Sequence, residues 1–254
     1  MNKISTVINY CSNEKRFIDQ CIKSIEPFSN EIIVSVADHF FDGTPENMEI
    51  IEKHKKEHKN TQFLIYKWNN SKFPRYWHNF ARLKAASKIK DSCDWVLFID
   101  ADEIIDTKLF EKFIPRLALG SSINSYKLAN YWYFREPCYR ADTIEDSIII
   151  VRSEHACNIN LEDRHREREQ FEFYNTPRNV MVDNTPIAHH YSWVRTKEEM
   201  LKKVKSWGHN KDRDWESLVK EEFSRPFNGT CFVNKYTFTT INTKDCTNDE
   251  SHKL

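Results

Sequence analysis

The sequence predicts an α/β protein: a central, mostly parallel sheet flanked by helices, a smaller mixed sheet extension, and C-terminal helices. Three observations predict it. Short apolar runs alternate with helical spacings through the first half. One apolar run, Trp95 to Ile99 (WVLFI), ends directly in the carboxylates Asp100, Asp102 and Glu103. Strand-like segments in the second half give way to two amphipathic patterns.

In chain order, Ile4 to Tyr10 reads as a buried strand, and Phe17, Cys21, Ile22 and Ile25 follow with helical spacing. Glu31 to Ala37 (EIIVSVA) is the second strand, Met48 and Ile51 mark a second helix, and Phe63 to Trp68 is the third strand. Phe80, Leu83, Lys84 and Ser87 fit a third helix, and WVLFI is the fourth strand. Such alternation implies right-handed crossovers and a largely parallel sheet. Ser125 to Phe134, Ser147 to Val151 and a shorter Asn179 to Val182 read as strands of a mixed extension. Met200, Leu201, Val204 and Trp207 share one helical face; Trp215, Leu218, Val219 and Phe223 share another. Residues 1–123 and 124–235 are expected to form two halves of one domain. A polar tail, 236–254, is expected to be loosely held.

Composition narrows the function. Thirty-eight basic residues balance thirty-eight acidic ones, which argues against a general nucleic-acid binder. The four glycines, against roughly 18 at average usage, are scattered and cannot build a P-loop or a GxGxxG turn. A bound nucleotide must therefore be held by a metal ion and basic side chains. Seven cysteines without a CxxC pair fit neither a disulfide framework nor a zinc site. With no signal core and no apolar run of spanning length, they suggest a reduced, cytoplasmic protein without a transmembrane segment.

The acids after the fourth strand carry the chemistry. A parallel sheet places its ligand outside the carboxyl ends of its strands. Like charges crowded there are costly unless a cation joins them. Spacing i, i+2 puts Asp100 and Asp102 on the same side of an extended backbone, where both can face Mn²⁺ or Mg²⁺ with phosphates completing the shell. The plainer alternative is a solvated strand end before a helix, with Asp102 or Asp106 as its cap.

The chain resembles a glycosyltransferase of the GT-A fold, close to family 2. Asn9 to Glu14 (NYCSNE) resembles the family's first-strand ending, and Asp38 matches the acid after the second strand. Asn79 to Ala86 (NFARLKAA) resembles the Ala-Arg-Asn helix before the DxD strand, with Leu83 in place of the usual Asn. FIDADE supplies the DxD itself. Thr143-Ile144-Glu145-Asp146 resembles the acceptor-side xED motif, and His189-His190-Tyr191-Ser192-Trp193 the C-terminal His segment.

The resemblance implies a metal-dependent transfer of sugar from a UDP- or GDP-linked donor to a glycan, glycoprotein or small-molecule hydroxyl, with inversion. Asn9, Tyr10, Cys11, Glu14, Asp38, Arg82, Asp100 and Ala101 would bind the nucleotide sugar. Asp102 would hold the metal, with Asp100 and either His190 or His189 beside it. Asp146 would be the catalytic base, with Glu145 as the fallback, because adjacent strand residues face opposite ways. Rival classes are a sugar-phosphate nucleotidyltransferase and a non-catalytic binding protein of degenerate transferase fold.

Other features have plainer expectations. Trp132 and Phe134 fall on one strand face and Tyr133 on the other, so core packing is expected of them. Arg75, Tyr76 and Trp77 precede the third helix and could meet base or phosphate. The run Glu162 to Gln170 (EDRHREREQ) reads as solvated, and Lys202, Lys203 and Lys205 as a surface helix face.

Overall fold

The structure, a computed structural model, describes residues 2–90, 93–119 and 122–242. The first half runs β1 (Ile4–Tyr10), α1 (Ile18–Ile25), β2 (Ser29–Ala37), α2 (Met48–Glu57), β3 (Thr61–Tyr66), α3 (Pro74–Ala86) and β4 (Trp95–Asp100). It continues through β5 (Glu103–Ile105), α4 (Thr107–Leu119), β6 (Ser125–Phe134) and β7 (Glu136–Arg152). A short helix α5 (Glu167–Gln170), the pair β8 (Met181–Val182) and β9 (Thr185–Pro186), and β10 (Ala188–Trp193) follow. The described chain ends with α6 (Lys197–Ser206), α7 (Trp215–Glu222) and β11 (Phe238–Thr240).

One nine-stranded sheet takes the order β3-β2-β1-β4-β7-β6-β10-β5, with β11 on β7. The first four strands are mutually parallel, as their helical crossovers require. The second half is mixed: β7 is antiparallel to both β4 and β6, and β10 is parallel to β6. Asn9 pairs with Asp100, so β1 and β4 end level.

Alternation on the strands builds two layers. Ile4, Ile8 and Tyr10 of β1 face α1, α2 and α4, whose Ile22, Ile51 and Phe113 share their core. Val7 faces the other way, with Ala85 and Ala86 of α3. A third core holds Trp132 and Phe134 against Met200, Val204, Trp215 and Val219 of the C-terminal helices. Tyr133 lies on the opposite face, stacked on Tyr191 at 4.7 Å. Helix α6 starts on a capping box between Thr196 and Glu199.

Three expectations change. The strand expected at Ser147 to Val151 is the end of a 17-residue β7, whose outer part is polar because it pairs near solvent. Residues of the expected polar tail are partly anchored: β11 pairs with β7, and Tyr236 packs on Trp132 at 5.6 Å. The rest of that tail, 243–254, lies outside the described residues. After the DxD, both local readings hold together. The acids end β4, and Asp106 then caps α4 by accepting from the Leu109 N–H at 3.0 Å.

Candidate active site

A cavity of about 260 Å³ opens at the carboxyl ends of β1 and β4. Asn9, Cys11 and Ala101 line it from the strand ends, and Glu14, Asp102, His190 and Lys203 lie to one side. Arg75, His78 and Arg166 approach from α3 and the segment before α5. Aromatic residues Phe40, Tyr66, Trp68, Trp77 and Trp207 complete the wall. Gly208 lets the end of α6 lie against α3. A Cβ there would come 3.0 Å from Pro74 Cβ and 3.2 Å from His78 Nε2.

The two DxD carboxylates have separate surroundings. Asp100 is held by three guanidiniums: Arg82, and Arg166 and Arg168, each at 3.1 Å. Burial opposes its charge, but the arginines outweigh burial and hold it well below the usual carboxylate range. Arg82 is 1% exposed and also pairs with buried Glu167, so it positions Asp100 from beneath and does not reach the cavity. Glu103, fully buried, accepts from the Asp100 N–H at 2.8 Å and from Ser147 Oγ at 2.5 Å. That pins the turn between the acids.

Asp102 is 4% exposed. Its Oδ2 faces Lys203 at 3.4 Å and Arg195 at 3.8 Å, and its Oδ1 faces His190 Nε2 at 3.7 Å. The other ring nitrogen of His190 lies 3.8 Å from Glu145 and makes no hydrogen bond. An imidazole nitrogen beside a carboxylate oxygen is a donor set that suits Mn²⁺ better than Mg²⁺. The residues therefore fit a divalent cation held by Asp102 and His190. Asp100, committed to arginines, is not a free third ligand.

Burial opposes the charge of His190, but the acids Glu145, Glu103 and Asp102 dominate and raise its pKa to about 8. A raised histidine stabilises the metal-free fold fully below its unfolded value near ~6.5. That contribution is lost as pH rises through about 8. The destabilisation caused by His190→Gln is therefore expected to be larger at pH ~6 than at pH ~9. Urea unfolding of both proteins at the two pH values checks this; an equal cost at both refutes the charge coupling.

Several expected site residues sit elsewhere. His189 is buried on the far face of β10, where Tyr133 Oη lies 2.7 Å from its Nδ1, so it is a packed core histidine and not a ligand. Asp146 points away from the cavity. Arg178 grips it at 2.9 and 3.2 Å, and Lys127 lies 3.4 Å away. Glu145, on the opposite face of β7, is the acid that meets His190, and Tyr236 donates to it at 3.1 Å. These contacts overcome burial and hold Glu145 ionised below its ordinary pKa.

Tyr10 reaches the cavity only at its margin, since its hydroxyl is bound to His54 at 2.8 Å inside the core. Asp38 accepts from the Trp68 N–H at 2.8 Å and pairs with His39, which leaves Ala37 and His39 to line the cavity around it. Glu14 lines the cavity but is engaged by Arg195 and, at 3.5 Å, by Lys203.

Sequence reasoning offered Arg75 for base or phosphate but missed the rest of the basic side of the site. Arg166 and Arg168 belong to the run expected to be solvated, yet both fold onto Asp100. Arg75 makes no ion pair among the described residues. Burial and neighbouring Arg166 push its pKa below the arginine norm, as expected of a cation short of counter-charge. Buried Lys203, expected on a surface face, bridges Glu14, Asp102 and Ser192. The one sequence signal for this basic group was the want of glycine, which called for side chains to neutralise phosphate.

Among solved structures, the chain resembles a mannosyltransferase from Pyrobaculum calidifontis, in complex with GDP-Man and Mn²⁺, at a TM-score of 0.51. Identity is 9%, and the match covers 80% of this chain and 61% of that one. The fold is GT-A. A 4-diphosphocytidyl-2C-methyl-D-erythritol synthase from Anaerococcus prevotii matches at 0.45, with 12% identity over 78% of this chain and 94% of that one. Rv0371c from Mycobacterium tuberculosis, in complex with manganese, matches at 0.45 with 8% identity over 78% and 95%. No family model and no curated relative matches the chain. On this GT-A fold the cavity occupies the ligand position of an open α/β sheet. Among the described residues, no helix is long and apolar enough to cross a membrane.

Proposed function

We propose that the chain is a cytoplasmic, metal-dependent glycosyltransferase related to family 2, moving a sugar from a UDP- or GDP-linked donor to an acceptor hydroxyl with inversion. One observation carries this reading. A single cavity brings together an aspartate–histidine pair fit for a cation and two guanidiniums fit for phosphate, Arg75 and Arg166. The GT-A mannosyltransferase with GDP-Man and Mn²⁺ supports the donor class.

Asp102 and His190 would hold Mn²⁺, which neutralises charge on a diphosphate. Arg75 lacks an ion-pair partner among the described residues, and it would bind the diphosphate together with Arg166. Asn9, Cys11 and the aromatic wall would hold the nucleoside, with the partly exposed Trp68 offering a face for stacking. Glu145, ionised and beside His190, takes the role of base: it accepts the acceptor hydroxyl's proton as the oxygen attacks the anomeric carbon. The acceptor, whether glycan, glycoprotein or small molecule, would approach from the β7 side.

Incubation with each UDP- and GDP-sugar and Mn²⁺ should release the nucleoside diphosphate. Release of pyrophosphate from a nucleoside triphosphate and a sugar phosphate, with no diphosphate formed, would replace this reading with nucleotidyl transfer. Within the reading, Glu145→Gln is expected to slow transfer by about 10²–10⁴-fold, whereas Asp146→Asn leaves kcat within about threefold and lowers stability through lost ion pairs. Steady-state kinetics on both variants decides it; the reverse ranking would restore Asp146 as the base.

A further inference from the structure

We propose a second divalent-cation site, of zinc type, between α1 and α2, built from Asp19, His54 and Glu57. A ring nitrogen of His54 and one carboxylate oxygen each from Asp19 and Glu57 lie within 4.8 Å of one another. The set comes from two elements. His54 and Glu57, three residues apart on α2, share a helix face, and Asp19 faces them from α1.

His54 supplies the observation that separates this cluster from a chance gathering of acids. It is 5% exposed, and its Nδ1 is engaged by the buried Tyr10 hydroxyl at 2.8 Å. Among the described residues, its Nε2 makes no hydrogen bond. Metal-bound histidines characteristically have their second nitrogen fixed by such a partner, which sets the tautomer. Here Nδ1–H would donate to Tyr10 Oη and leave the Nε2 lone pair for the cation.

His58 is one turn beyond His54 and holds Asp19 Oδ1 at 2.7 Å, orienting that carboxylate as an outer partner. Lys53, 3.8 Å from Glu57, is 69% exposed at its side chain and free to move aside. One imidazole and two carboxylates, with water completing a tetrahedron, suit zinc among abundant cations. The bound ion would clamp α1 to α2. Through Tyr10 it would also steady the end of β1 beside the nucleotide cavity.

The test is zinc titration of the full chain by calorimetry, with thermal unfolding alongside, on wild type, Asp102→Asn, and the double variant Asp19→Asn/Glu57→Gln. The side chains of both substituted acids are 47% exposed, so the double variant should fold, as circular dichroism will show; single Glu57→Gln is the fallback. The proposal expects one zinc that raises the unfolding temperature, persists in Asp102→Asn, and is weakened at least tenfold in the double variant. A second zinc lost only in Asp102→Asn would mark the cavity and leave the proposal standing. No binding at millimolar zinc, or binding unchanged in the double variant, overturns it. None of these outcomes depends on sugar transfer.

Discussion

Asp102→Asn is expected to abolish metal-dependent turnover, reducing it by about 10³-fold or more, roughly 4 kcal/mol of transition-state stabilisation. The amide keeps the shape of the side chain but removes the charge that, in the proposed function, would draw a cation to His190. The fold should survive, because Lys203 and Arg195 both retain Glu14 as a partner. Folding and function are thereby separable in one variant. In wild type, Mn²⁺ with the matching nucleoside diphosphate at a hundred times its dissociation constant should stabilise by about 2.7 kcal/mol. In the variant that gain should vanish while the ligand-free melting temperature stays close to wild type. Metal-dependent turnover persisting in Asp102→Asn would remove Asp102 from the metal site and leave Lys203 as the cation facing the diphosphate.

Arg82→Met carries the largest expected cost in stability. The guanidinium is 1% exposed and lies between Asp100 and Glu167, itself 1% exposed. Removing one partner of a buried pair leaves uncompensated charge, at about 3–5 kcal/mol. The lower end applies here, since Arg166 and Arg168 still reach Asp100 at 3.1 Å. About 3 kcal/mol corresponds to a fall of roughly 6–12 °C in melting temperature for a chain of this size. Asp100, whose pKa is depressed in the fold, contributes stability that is present above its unfolded value near ~3.9. That contribution is lost as pH falls toward the folded value, so the gap between wild type and variant should narrow in acid. Denaturant curves at neutral and acid pH measure both effects. A cost below about 1 kcal/mol at neutral pH would mean that the other arginines suffice.

Of the first four strands, β1, β2 and β4 are largely buried on both faces and so are written as apolar runs, whereas the edge strand β3 is half-exposed and was legible from its apolar and aromatic residues alone. Three later parts were not. Thr107 to Leu119 holds Pro115, which reads as a helix breaker, yet α4 continues through it. The outer part of β7 is polar, since its pairing with β6 and β11 comes from hairpin geometry and not from burial. Residues Ala188 to Trp193 form a core strand although two histidines interrupt the run, because Tyr133 is hydrogen-bonded to His189 and the acids Asp102 and Glu145 face His190. In the site, the DxD and its strand could be read directly from apolar residues meeting acids. The choice between Glu145 and Asp146 could not. Adjacent strand residues must diverge, but which one faces inward depends on the register of β7 against β6, where Asn130 meets Glu145. Arg166 and Arg168 were hidden for a related reason: charge in sequence does not show whether its partner is water or a distant carboxylate.

The length of β7 also bears on how the chain is made. Its last residues, Ile149 to Arg152, are, among the described residues, the partners in the sheet for the edge of β4 that faces away from β1. That edge belongs to WVLFI, an uncharged, strongly β-forming segment of the kind that templates aggregation when its backbone is unpaired. During translation the covering residues emerge about fifty positions after the strand they cover. At ordinary ribosome speeds this is roughly 3–10 s of exposure. The parallel half can therefore be shaped early but becomes safe only when β7 arrives, so the nascent chain passes through an interval in which its most apolar strand must be shielded by something other than itself.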